Sequence, residues 1–223
     1  MKKIDKKLLT VLVLVGVTAF FLMAMFSFIP SMEKTSEYDM NREEYMTLLL
    51  PDSYYQLPDI VAMNANRDEK IISKIIEISD NQTSEDDAKI ILSEVRDCSE
   101  RFSISESLIL GIIAQESRFV YTAVSRKGAT GLMQIMPIAL EDYNNHNSIT
   151  YSSSDLWYFG VNIEIGCWNL NRQRRYIHSN DISDWIISYN SGSTNFKKNK
   201  EDYRKKYAYL DNVEKYRKIF ENI

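Results

Sequence analysis

Residues 108–137, LILGIIAQESRFVYTAVSRKGATGLMQIMP, constrain this chain more than any other stretch. The stretch opens as a helix. Ser103 stands three residues before Glu106, the spacing of a capping box at a helix start. Ile109, Ile112 and Ile113 recur at helical spacing, and the next position on their face is Glu116. Burial at the end of an apolar stripe disfavours the charged carboxylate and raises its pKa, which suits a general acid working near neutral pH. The alternative is a structural carboxylate paired with Arg118 or Arg126, since such ion pairs are common. The following KGATG segment, with Gly128 and Gly131, predicts tight backbone bends. No Asp or Glu separates Glu116 from Glu141, so a catalytic Glu116 has no second carboxylate close to it in sequence.

The other candidate chemistries are poorly supplied. A formal charge of −4 is too weakly biased to point to nucleic acid. Two histidines and two cysteines supply no zinc-ligand spacing, and no metal or organic cofactor is implied. Cys98 and Cys167 leave two readings: a disulfide in an oxidising compartment, or two buried free thiols, the latter slightly favoured.

In chain order, residues 1–7 carry four lysines and read as a cytoplasmic tail. Residues 8–29 form an uncharged run of 22, long enough to cross a bilayer as a helix. A cleaved signal peptide competes with an uncleaved anchor. Bulky Met25, Phe26 and Phe28 stand where a small-residue cleavage site belongs, which favours the anchor. The remainder then lies outside the membrane on a single-pass protein. Residues 30–67, with Pro51 and Pro58, read as a linker. Residues 68–102 form a helical lead-in. Isoleucines 71, 72, 75, 76 and 78 stripe its first helix, and Ile90, Ile91, Val95 and Cys98 face inward on the second, capped by Ser84 or Thr83. Residues 103–223 form the main domain, mostly helical with at most a small β element near the Glu116 loop. Helices are expected near 138–143, 159–177, 185–189 and 207–223. Residues 195–206 read as a polar loop, and Arg172, Arg174 and Arg175 as a solvated basic face.

The runs Glu116-Ser117-Arg118-Phe119, Ala123-Val124-Ser125, Gly128-Ala129 and Gly131-Leu132-Met133-Gln134-Ile135-Met136-Pro137 closely resemble the soluble-lytic-transglycosylase (SLT) family of lysozyme-like peptidoglycan-cleaving enzymes. Tyr189-Asn190-Ser191-Gly192 resembles the family's Tyr-Asn-Ala-Gly element, with Ser191 for alanine, and residues 214–219 resemble its closing element. The resemblance covers roughly residues 103–219. It implies a lysozyme-like fold for the main domain and Glu116 as the single general acid/base. Ser125, Gln134, Met136, Tyr189 and Asn190 become candidate glycan-binding or supporting residues. The implied reaction cuts the β-1,4 bond between N-acetylmuramic acid and N-acetylglucosamine and leaves a 1,6-anhydromuramic end. Implied partners are peptidoglycan strands, the membrane and cell-envelope assembly proteins. Two alternatives stand beside it: a hydrolytic muramidase on the same fold, and a non-catalytic wall-binding component. For a hydrolase the distant Asp155, Glu164, Asp181 and Asp184 are the candidates for a second carboxylate.

Overall fold

The structure, a computed structural model, describes residues 57–205 and 207–223. The expected cytoplasmic tail and membrane anchor, residues 1–29, lie outside the described residues, as does most of the expected linker. Among the described residues, no helix is long and apolar enough to cross a membrane.

Helix α1 (Leu57–Ile78) begins well before the expected start at Asp68, so the end of the expected linker is helical. Ile71 and Ile75 are fully buried and Ile72 and Ile76 pack partly against the core. Helix α2 (Glu85–Phe102) starts at Ser84, whose side chain accepts the Asp87 N–H, with acids in its first turn complementing the helix dipole. Its inner face is Ala88, Ile91, Leu92, Val95 and Cys98. Ile90, expected inward, is 47% exposed, because the stripe runs through its neighbour Ile91.

Helix α3 (Glu106–Ser117) is buried all round from Leu108 to Ala114, as a central helix must be. The capping box expected at its start does not form. Ser103 instead closes α2 in a left-handed conformation, and Ser105 begins α3 without a side-chain hydrogen bond. Glu106 is drawn to Arg96 and Arg67, each at 2.8 Å, since charge-assisted bonds to guanidinium groups outcompete a backbone N–H.

Helix α4 (Pro137–Asn147) places proline in its first turn, where a missing N–H does no harm. A 3-10 turn (Ser153–Trp157) leads into α5 (Phe159–Ile177). Helix α6 (Ile182–Ser191) is capped by Asp181 and ended by Gly192 at φ +76°. Residues 195–205, expected as a loop, belong to helix α7 (Ser193–Lys205), kinked at Asn199. The helix holds because Phe196 is buried and because Arg204 and Lys200 bond the buried Asp184. Helix α8 (Ala208–Glu221) closes the chain against α3. Gly111 makes that contact close: a Cβ there would stand 3.0 Å from the Arg217 backbone nitrogen.

The basic cluster on α5 is not simply solvated. Arg172 bonds Asp142 at 2.7 Å and lies over Trp168. Arg174 donates to the carbonyls of Phe102 and Ser103 and lies over Trp185. Both thiols are free and buried.

Candidate active site

Glu116 sits in the last turn of α3, where the chain turns sharply. Arg118 and Phe119 both adopt left-handed backbone, at φ +54° and +64°, a conformation uncommon for such side chains. Neighbouring elements hold that turn in place. Phe119 is fully buried edge-on to Phe220 of α8, with centroids 5.9 Å apart, and its carbonyl accepts the Thr83 hydroxyl at 2.9 Å. Arg118 turns away to Asp80 and the Ile78 carbonyl, so it is no partner for Glu116.

The Glu116 carboxylate instead accepts a 2.6 Å hydrogen bond from the Tyr209 hydroxyl of α8. Burial pushes its pKa up to about 7, and the Tyr209 bond offsets only part of that. The phenols of Tyr209 and Tyr189 are held well above their usual range by burial first and by the Glu116 charge second. They therefore stay protonated donors across the physiological range.

The loop after Glu116 folds back on itself through two isolated bridges, Val124 to Thr130 and Thr130 to Ile135. Thr130 and Ile135 exchange N–H to carbonyl bonds at 3.1 and 2.9 Å. Gly128 and Gly131 supply φ of +81° and +78°. The buried Asn162 of α5 fastens this loop: its Oδ1 accepts the Met133 N–H, and its Nδ2 donates to the Thr130 and Leu156 carbonyls. A Cβ on Gly131 would stand 2.1 Å from that Nδ2.

One groove of about 480 Å³ is lined by all six residues singled out in the sequence: Glu116, Ser125, Gln134, Met136, Tyr189 and Asn190. Ser125 Oγ accepts the Ala129 N–H. Gln134 Nε2 donates to the Ala123 and Gly131 carbonyls, and among the described residues its amide oxygen has no hydrogen-bond donor. Met136 is partly exposed at the start of α4. The Tyr189 hydroxyl donates to the Met133 carbonyl rather than to Glu116. Asn190 Oδ1 accepts the Tyr207 hydroxyl at 2.6 Å.

Sequence reading missed Tyr209, 93 positions from Glu116, because no local pattern marks it. It also missed Asn169, Arg172, Gln173 and Asp142 on the groove wall. The four acids weighed as distant second carboxylates are used elsewhere. Asp155 caps the 3-10 turn, Glu164 bonds Tyr143 and Arg101, Asp181 caps α6, and Asp184 bonds Arg204. None of the four lines the groove, whereas Asp142 does. Among the described residues, no cluster of three or more His, Cys, Asp or Glu side chains is arranged to hold a metal ion.

A groove with one buried acid, phenol donors and amide walls can protonate a leaving oxygen and hold polar, ring-shaped ligands. Two relatives carry the name membrane-bound lytic murein transglycosylase C. The one from Mannheimia succiniciproducens is 52% identical over 50 residues, 22% of this chain and 14% of that protein. The one from Edwardsiella ictaluri is 56% identical over 45 residues, 20% of this chain and 12% of that protein. The matched segments thus span well under a fifth of those relatives' length. A crystal structure of an inactive mutant of the lytic transglycosylase Slt from Pseudomonas aeruginosa aligns with 66% of this chain and 27% of its own, at a TM-score of 0.49 and 24% identity. The family model of the transglycosylase SLT domain matches residues 94–212, from within α2 to the first turns of α8 and more than half of the sequence. This chain belongs to the transglycosylase SLT family.

Proposed function

We propose that this protein is a peptidoglycan lytic transglycosylase in which Glu116 is the only acid–base group. The observation that carries the reading is the groove acid itself. Burial brings its pKa to about 7, and its hydrogen-bond partner is the Tyr209 phenol rather than a cation. Protonated Glu116 gives its proton to the oxygen leaving C1 of N-acetylmuramic acid. The resulting carboxylate then takes the proton of the C6 hydroxyl on the same sugar, and that oxygen bonds to C1. Atoms balance without water, and Glu116 returns to its starting state. The attacking hydroxyl is carried by the reacting sugar, so proximity supplies part of the rate. Asn190 and the free amide oxygen of Gln134 bind polar groups of the glycan, Met136 packs against a sugar face, and Ser125 and Tyr189 hold the walls around the acid.

Residues 8–29 anchor the protein in the membrane, with residues 1–7 inside and the SLT domain outside. Their length and lack of charge support this, as does the membrane-bound description of the two relatives.

One observation favours a hydrolytic muramidase instead: a second carboxylate, Asp142, lines the groove. Its 2.7 Å bond to Arg172 counts against a nucleophile or base role. Digestion of purified peptidoglycan with the wild type and Glu116→Gln, followed by mass spectrometry, tests both readings. Anhydromuramic ends that vanish in the variant are expected. Reducing ends, each heavier by one water, would replace this reading with the hydrolytic one.

A further inference from the structure

The chain's two cysteines meet where α2 packs on α5. Cys98 and Cys167 are both buried in the core that these two helices share, close enough for each thiol to shift the other's pKa. A separate open cleft of about 680 Å³ reaches Cys98, with Arg101, Glu94 and Glu164 on its walls. Arg101, paired with Glu164 at 3.0 Å, also draws the Cys98 thiol's pKa down. Cys167 lies behind it, fully enclosed. One thiol thus borders the cleft, and the other lies enclosed in the core beside it.

We propose that Cys98 and Cys167 are a thiol pair that closes to a disulfide and clamps α2 to α5. The oxidant is a disulfide, either that of an extracytoplasmic thiol oxidoreductase or a small-molecule one. The Cys98 thiolate attacks one sulfur of that disulfide, forming a mixed disulfide and releasing one thiolate, which takes up the proton Cys98 lost. Cys167 then gives up its proton and attacks the Cys98 sulfur, expelling the second thiol. Two protein thiols lose two electrons and two protons, and the oxidant's disulfide becomes two thiols. The order follows from the site. Only Cys98 borders the cleft; the neighbouring Cys167 thiol and Arg101 also hold its thiol below the usual range despite burial, whereas burial pushes the enclosed Cys167 thiol well up.

The clamp reaches the catalytic groove. Helix α5 carries Asn162, which fastens the loop at Thr130 and Met133, and it carries Asn169, Arg172 and Gln173 on the groove wall. Tying α5 to α2 therefore stiffens one side of the groove.

The test treats the full chain with oxidised glutathione, then denatures it in iodoacetamide with and without prior reduction and reads the intact mass. The expected result is no alkylation before reduction and two alkylated thiols after it. The Tm of the oxidised protein should also exceed that of the reduced protein by roughly 5–10 °C. In Cys167→Ser the intermediate is trapped, with glutathione retained on Cys98. Two thiols that alkylate without reduction, or a glutathione adduct that persists in the wild type, would overturn the proposal. An intramolecular bond whose reduction leaves Tm unchanged would overturn the clamp. The readout is of sulfur alone, so it stands or falls separately from activity on peptidoglycan.

Discussion

The Tyr209 hydroxyl donates to Glu116 Oε1 at 2.6 Å, joining the end of α3 to the first turn of α8. A donor to the ionised carboxylate favours that form, so this bond holds the Glu116 pKa below where burial alone would put it. Tyr209→Phe removes the donor and keeps the ring. The Glu116 titration should then move above 7, and kcat/KM should fall about 10- to 100-fold, the worth of one hydrogen bond to a charged group. Carbon-13 NMR of the Glu116 carboxyl reads the first effect and muropeptide release the second. An unmoved titration would show that the phenol does not tune the acid.

Glu116→Gln keeps the side chain's shape but cannot cycle a proton. Release of anhydromuropeptides should fall by at least about a hundredfold, the usual contribution of a positioned acid–base group. In the wild type, kcat/KM should decline as pH rises through about 7, because the proposed mechanism begins from protonated Glu116. A flat profile from pH 6 to 9 would assign the proton to another group.

Two acids should give stability opposite slopes with pH. Glu116 is raised to about 7 from an ordinary value near 4.5, so the folded state holds a proton that the unfolded chain releases between them. Stability from this group is full below about 4.5 and is lost as pH rises towards 7. Glu116→Gln should remove that loss and be the more stable protein at pH 8, by on the order of 3 kcal/mol. Asp184 behaves the other way. Burial pushes its carboxyl up, but hydrogen bonds from Arg204, Ser179 and Lys200 outweigh it and hold the pKa below the usual range. Its contribution is present above the ordinary Asp range and fades as pH falls through the depressed value. Asp184→Asn should lower Tm at pH 7 and narrow that deficit in acid. Melting curves of both variants from about pH 2 to about pH 8 check the two signs.

Asn162→Ala should cost about 2–4 kcal/mol, because it removes the side-chain partner of the buried Met133 N–H and of the Leu156 carbonyl and leaves the Thr130 carbonyl with only the Ile135 N–H. Gly131→Ala meets the same amide from the other side and adds a strained φ of +78°. The two losses should be less than additive in a double-mutant cycle, since both break one contact. Urea unfolding of the three variants measures it.

Much of the helical order was legible in the sequence because isoleucine stripes and turn residues are local signals, as in α1 and the Ser84 start of α2. The errors arose where distant charges decided the outcome. Glu106 left its expected cap for Arg96 and Arg67, and the lysine-rich stretch after Gly192 became helix through the buried Asp184. Helical spacing marks Glu116, whereas only the family resemblance marks Ser125, Gln134, Met136, Tyr189 and Asn190; all six line one groove. Tyr209 and Asp142 escaped notice because a contact between remote segments leaves no periodic trace.

The docking of α8 onto α3 sets an order of events during synthesis. A chain whose final helix has not yet emerged already contains Glu116 but lacks the phenol at its side and the Phe220 ring under its turn. The Glu116 carboxyl therefore gains its phenol partner only once α8 has packed on α3.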